Sequence, residues 1–163
     1  MSHGKIFQIG LEPIPAEKHV KPDHFVEHCE DYADYIGDAR EGDERQECID
    51  YLAGVIRELF IHMGGSLFVY KGPKALKAFK RKWAAAIHKQ ARAVTVENLT
   101  KYDPRAQVRT VMYGTHHKNE DRYVMHFWTG EVAEPLSDFV EMCEELLQEG
   151  QPIYIGAVIH FHY

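Results

Sequence analysis

The chain is poor in cysteine, with three in 163 residues: Cys29, Cys48 and Cys143. The number is odd, the spacings are wide and no C-x-x-C pair occurs. A disulfide framework and a cysteine-based zinc site therefore have no support, and the three thiols read as small buried hydrophobes. Long apolar runs are also missing. The longest, Leu67–Tyr70 and Ile153–Ile159, fall far short of the 20 or so residues that a membrane-spanning helix needs. Residues 1–7 contain no apolar stretch of the secretory type. These absences lead to the expectation of a cytoplasmic protein with no membrane partner.

Catalytic signatures are absent as well. The chain has no G-x-x-x-x-G-K-[ST] loop, no H-E-x-x-H and no G-x-S-x-G, so a P-loop nucleotide triphosphatase, a zincin and a nucleophile elbow have no support. His24-Phe25-Val26-Glu27-His28 has the zincin histidine spacing, but its glutamate stands beside the second histidine. No cofactor is expected on this reading, and whether the chain is an enzyme stays open. No repeat or low-complexity tract is present.

What is there suits one folded domain over residues 1–163. Hydrophobic residues make up 45% and aromatics 12%, enough for a core dominated by large rings. Residues 4–9 read as a strand and 11–22, with three prolines, as a loop. Phe25, Cys29, Tyr32 and Ile36 recur at helical spacing over 24–37, and Cys48, Leu52, Val55, Ile56 and Leu59 do so over 44–62. Ser66–Tyr70 reads as a strand and 74–92 as the clearest helix. In that helix Leu76, Phe79, Trp83 and Ile87 share one side. Residues 106–114 and 121–128 read as a β-hairpin joined by 115–120. A helix over 135–149 and a strand over 152–163 complete the chain.

From residue 66 onward the order is β-α-β-β-α-β. The expected fold class is α+β, with a ferredoxin-like core over residues 66–163. The N-terminal strand and two acidic helices of residues 1–65 would pack on that core. An RNA-recognition domain shares this order, and Arg122–Trp128 supplies aromatics, but the glycines of its RNP1 run are missing. No family is identified from these residues.

The net charge of −6 is segregated along the chain. Residues 1–60 carry six Lys/Arg and fourteen Asp/Glu, a net of −8. Residues 71–109 carry eleven against two, a net of +9, and residues 110–163 carry two against nine, a net of −7. The natural partner of a strongly positive block is anionic. Lys71, Lys74, Lys77, Arg81, Lys82, Lys89 and Arg92 would carry such an interaction. The partner would be an acidic protein, a second copy of the chain through its acidic ends, or nucleic acid.

Eleven histidines form two candidate metal groups. His24, His28 and Asp31 would share one helix flank. His160 and His162, two apart in a strand, point to one sheet face, where His126 would join them if the register allowed. Imidazoles with or without a carboxylate suit zinc or iron.

Three functional readings follow. The first is an interaction protein that binds an acidic partner through the basic central helix. The second is a small metal-dependent enzyme or metal binder built on one of the histidine groups. The third is a small-molecule binder on an open sheet face. There Tyr154, Val158, His160 and His162 would alternate with Ile153, Ile155, Ala157, Ile159 and Phe161 along the last strand.

Overall fold

The computed structural model describes residues 3–26, 35–112, 116–118, 121–128 and 133–162. The elements in chain order are β1 (His3–Gly10), a 3-10 turn (Ala16–Lys18), α1 (Asp23–Val26), β2 (Tyr35–Ala39) and α2 (Gly42–Val55). Next come β3 (Phe60–Gly64), β4 (Leu67–Tyr70), α3 (Pro73–Arg92), α4 (Tyr102–Met112), β5 (His116–Lys118) and β6 (Asp121–Trp128). Then follow β7 (Ala133–Pro135), α5 (Leu136–Leu146) and β8 (Pro152–His162). The architecture is α+β. The strands described form one sheet in the order β3-β4-β8-β1-β6-β5, with β2 also paired to β8 and β7 to β6. Among the described residues no helix is long and apolar enough to cross a membrane.

The strand order departs from the ferredoxin-like expectation. In that pattern β6, the third strand counted from residue 66, would lie against β4. Instead β1 and β8 stand between them, and β6 runs parallel to β1. The N-terminal strand is thus central to the sheet. Its sequence fits that position: Ile6 and Phe7 are fully buried on opposite faces, the continuous apolar pattern of a strand covered on both sides.

Three local expectations are corrected. Residues 35–39 form strand β2 where the helical spacing had suggested the end of a helix, because Tyr35 and Ile36 pair with His162 and Phe161 of β8. The helix expected over 44–62 stops at Val55. Phe60–Gly64 turns back on β4 as a hairpin, closed by Gly64 and Gly65 at φ of 101° and 53°, a region that favours glycine. Residues 106–112 belong to helix α4, although Val108, Thr110 and Val111 are β-branched. Packing overrides that propensity: α4 lies along α3, and the Trp83 indole N–H donates to the Val111 carbonyl at 2.6 Å. The expected hairpin survives in shorter form as β5 and β6.

The sheet separates two apolar cores. The main one gathers Phe7, Ile49, Leu52, Phe60, Phe68, Phe139 and Val158 beneath α2, α3 and α5. The second joins Ile6, Phe25, Ala157, Ile159 and Phe161, with Val20 and Ile36 at its margin. Each fully buried isoleucine, leucine, valine or phenylalanine here stabilises the fold by about 1.5–3 kcal/mol.

Strand β8 changes face partway along. Phe7 pairs with Val158 and Ile9 with Ile155, so β8 carries one residue more than β1 across this interval. That is a β-bulge, and it flips the side-chain alternation. Ile153, Ile155 and Val158 all enter the main core, whereas Ala157, Ile159 and Phe161 enter the second. The simple alternation expected along the strand therefore fails at Gly156, and Val158 is buried rather than presented on an open face.

Polar groups hold the bulge. The Gln8 side-chain carbonyl accepts from the backbone N–H groups of Val20 and Ala157, each at 3.0 Å, and its amide donates to the Lys18 carbonyl. A Cβ at Gly156 would lie 2.5 Å from that Gln8 oxygen, so a side chain there would push the clamp aside. On the edge of β8 between the segments that pair with β4 and with β2, Arg45 donates to the carbonyls of Ile155 and Gly156 at 2.7–2.9 Å. These bonds replace the ladder that no strand supplies there.

Candidate functional site: three histidines at the end of the central strands

Past the bulge, β1 and β8 run antiparallel in plain register, with Phe7 opposite Val158, Lys5 opposite His160 and His3 opposite His162. Opposed residues share a face, and every second residue returns to it. The face that sends Phe7 and Val158 into the main core therefore presents Lys5, His160, His3 and His162 in its next two rows. All four are half-buried. Gly4 lies between the two β1 residues and faces the other way, under the Phe161 ring. In the same row β2 adds Tyr35 opposite His162, their ring centroids 5.8 Å apart.

The imidazoles converge. One ring nitrogen from each of His3, His160 and His162 lies within 4.8 Å of the other two. His3 Nδ1 and His160 Nε2 are 2.8 Å apart, and the ring centroids of His3 and His162 are separated by 4.4 Å. On the far side of His160, its Nδ1 meets Arg40 Nη2 at 2.6 Å. The other terminal nitrogen of Arg40 pairs with Glu44 at 2.9 Å.

These contacts fix proton positions. A guanidinium has donors only, so His160 Nδ1 accepts from Arg40. The His160 proton then sits on Nε2 and is donated to His3 Nδ1. Glu44, Arg40, His160 and His3 form a single hydrogen-bonded line. His162 differs: its Nδ1 is buried and meets no hydrogen-bond partner among the described residues. A buried polar atom without a partner costs about 1–3 kcal/mol, which makes it a place where a ligand adds stability.

Burial, with the nearby charges of Lys5 and Arg40, pushes His160 down to about 4, so the ring is neutral at ordinary pH. Burial also lowers the Lys5 ammonium. Arg40 acts in the same direction, while Cys48 and Glu44 oppose it. The Cys48 thiol on α2 is raised by burial and lies electrostatically next to Lys5.

The residues singled out from sequence distribute as follows. His160 and His162 come together, and the third imidazole beside them is that of His3. The backbone register aligns His126 with Ile6, one position off the rows of His3 and Lys5. His24 is exposed on the four-residue α1, and His28 and Asp31 lie outside the described residues. His3 carries no motif. Its role depends on pairing between strands from opposite ends of the chain, which spacing within one segment does not encode.

The basic residues occupy a different surface. Lys71, Lys74, Lys77, Arg81, Lys82, Lys89 and Arg92 are all exposed. The six on α3 fall on one arc of roughly 140° at 3.6 residues per turn, opposite Leu76, Phe79 and Trp83. Lys82 pairs with Glu58 at 2.5 Å, and Lys71 donates to the Arg57 carbonyl at 2.5 Å. Lys80, outside this group, pairs with Glu144. Helix α4, now packed on α3, adds exposed Arg105 and Arg109 one turn apart.

Comparison with protein-family models, with curated proteins and with solved structures finds no match for the chain.

Proposed function

We propose that the chain is a metal-binding protein whose centre is His3, His160 and His162. The observation that carries this is the convergence of three imidazole nitrogens within 4.8 Å. On zinc, with bonds of about 2.0–2.1 Å, neighbouring nitrogens stand about 3.3 Å apart. The closest pair here, at 2.8 Å, would open by about half an ångström and the widest would close by about 1.5 Å at most. Ring rotations on fixed strands supply such movements. All-nitrogen ligation suits zinc, iron, nickel or copper over magnesium or calcium. Three protein ligands also leave a coordination position open, as in metal sites that bind or transform a ligand.

Elemental analysis of the chain purified without chelator tests this reading. About one transition-metal ion per chain is the expected result. Less than about 0.1 per chain, with no uptake on adding zinc, contradicts it, because such sites bind strongly.

A second reading concerns the basic surface of α3 and α4, and the observation that favours it is the single-sided arc of exposed cations. The partner that fits is a nucleic-acid backbone, whose affinity for this face would fall steeply as salt rises, through counterion release. Binding unchanged between low and moderate salt, or no binding at low salt, removes this reading.

A further inference from the structure

The surroundings of the three histidines are unusual for a cation site. Metal-bound imidazoles ordinarily hand their second ring N–H to a carboxylate or carbonyl, which raises ligand basicity. Here the second nitrogen of His160 faces a guanidinium at 2.6 Å, and Lys5 stands opposite His160 in the strand register. Glu44 pairs with Arg40 and offsets part of this positive charge. A divalent ion added to this half-buried site would leave it strongly positive, and uncompensated buried charge is costly.

The proton arithmetic adds a second constraint. Neutral His160 has one ring proton, held on Nε2 while Nδ1 accepts from Arg40. If Nε2 coordinates a metal, that proton must sit on Nδ1. It then faces the Arg40 N–H, donor against donor, and the contact cannot persist. No proton leaves the ring in this exchange; the imidazole changes tautomer. Arg40 keeps its bond to Glu44 through Nη1, while Nη2 is released toward the cluster.

We propose, on the basis of the metal reading above, that metal loading frees Arg40 from His160, so that Arg40 and Lys5 hold an oxyanion against the open coordination position. The ligand class is a carboxylate, phosphate or sulfate group, the anionic oxygen being the shared chemistry. Arg40 supplies the N–H donors of its freed Nη2. Lys5 supplies a compact charge from the neighbouring strand. The anion in turn adds negative charge beside the metal and these two side chains. Metal and oxyanion thus bind cooperatively, each tightening the other.

Calorimetric titration of the full metal-free chain with zinc, in chloride and in sulfate at equal ionic strength, tests this. Sulfate is expected to tighten zinc binding at least about fivefold, and zinc to tighten sulfate by the same factor, since coupling between two ligands is reciprocal. In Arg40→Gln the coupling factor should fall toward one, while zinc binding in chloride becomes tighter because no guanidinium competes for His160 Nδ1. Lys5→Gln, as a second variant, should also reduce the coupling. Zinc binding that is indifferent to sulfate in the wild-type chain overturns the inference and leaves the metal reading standing. Sulfate binding with no zinc binding overturns both and identifies a bare anion site. Weaker zinc binding in Arg40→Gln, with coupling intact, also overturns the inference.

Discussion

His3 and His160 are 157 positions apart in the chain, and their ring nitrogens are 2.8 Å apart in the fold. The contact exists because β1 and β8, drawn from opposite ends of the described chain, are neighbours at the centre of the sheet. Everything that fixes their register therefore also fixes the histidine cluster. Two devices do so: the close approach at Gly4 and the polar clamp at the bulge.

Gly4 lies directly under the Phe161 ring, and a Cβ there would come within 2.1 Å of it. Phe161 is fully buried in the second core and has little room to retreat. Gly4→Ala should therefore destabilise the chain by about 1–3 kcal/mol, as overpacking does. Urea unfolding measures the loss. Phe161→Leu in the same chain should recover part of it, whereas equal effects with and without that second change would show that the ring is not the obstacle.

Gln8 is the buried polar residue that holds the bulge. Gln8→Leu would leave the Val20 and Ala157 N–H groups without their acceptor. At about 1–3 kcal/mol for each stranded group, a loss of at least 2 kcal/mol is expected in the same unfolding measurement. A change under about 0.5 kcal/mol, the range of an ordinary surface substitution, would mean that other groups hold the bulge.

Cys143 is fully buried in the main core, and burial pushes its thiol up to about 12. The thiolate fraction at pH 8 is then on the order of one in ten thousand. Cys143 should remain unlabelled by a thiol reagent in the native chain and react fully in denaturant, as read by mass spectrometry of its peptide. Rapid native labelling of that peptide would contradict the packing of α5.

Much of the fold is legible in the sequence where local pattern and final structure agree. Helix α3 follows from Leu76, Phe79 and Trp83 at helical spacing, with Pro73 at its first position. Strands β1, β4 and β8 follow from short runs rich in β-formers. The pattern misleads where tertiary partners decide. Ile36 looks helical because it continues the spacing of Phe25, Cys29 and Tyr32, yet β8 claims it, with Tyr35, as a strand. Val108 and Val111 look extended, yet α3 provides a surface for a helix. The candidate site is half legible. Period-two spacing puts His160 and His162 on one face, but His3, Lys5 and Arg40 join them only through strand register and a bulge at Gly156, neither of which leaves a signature within one segment.

The most direct measurement is the calorimetric zinc titration of the metal-free chain beside His3→Ala, His160→Ala and His162→Ala, with circular dichroism confirming that each variant is folded. The account predicts one zinc ion per wild-type chain and a loss in affinity of at least about a hundredfold in every variant. That exceeds the 10–100-fold that removing an outer-shell partner costs. Wild-type affinity retained in all three folded variants would place any bound metal elsewhere and contradict the account.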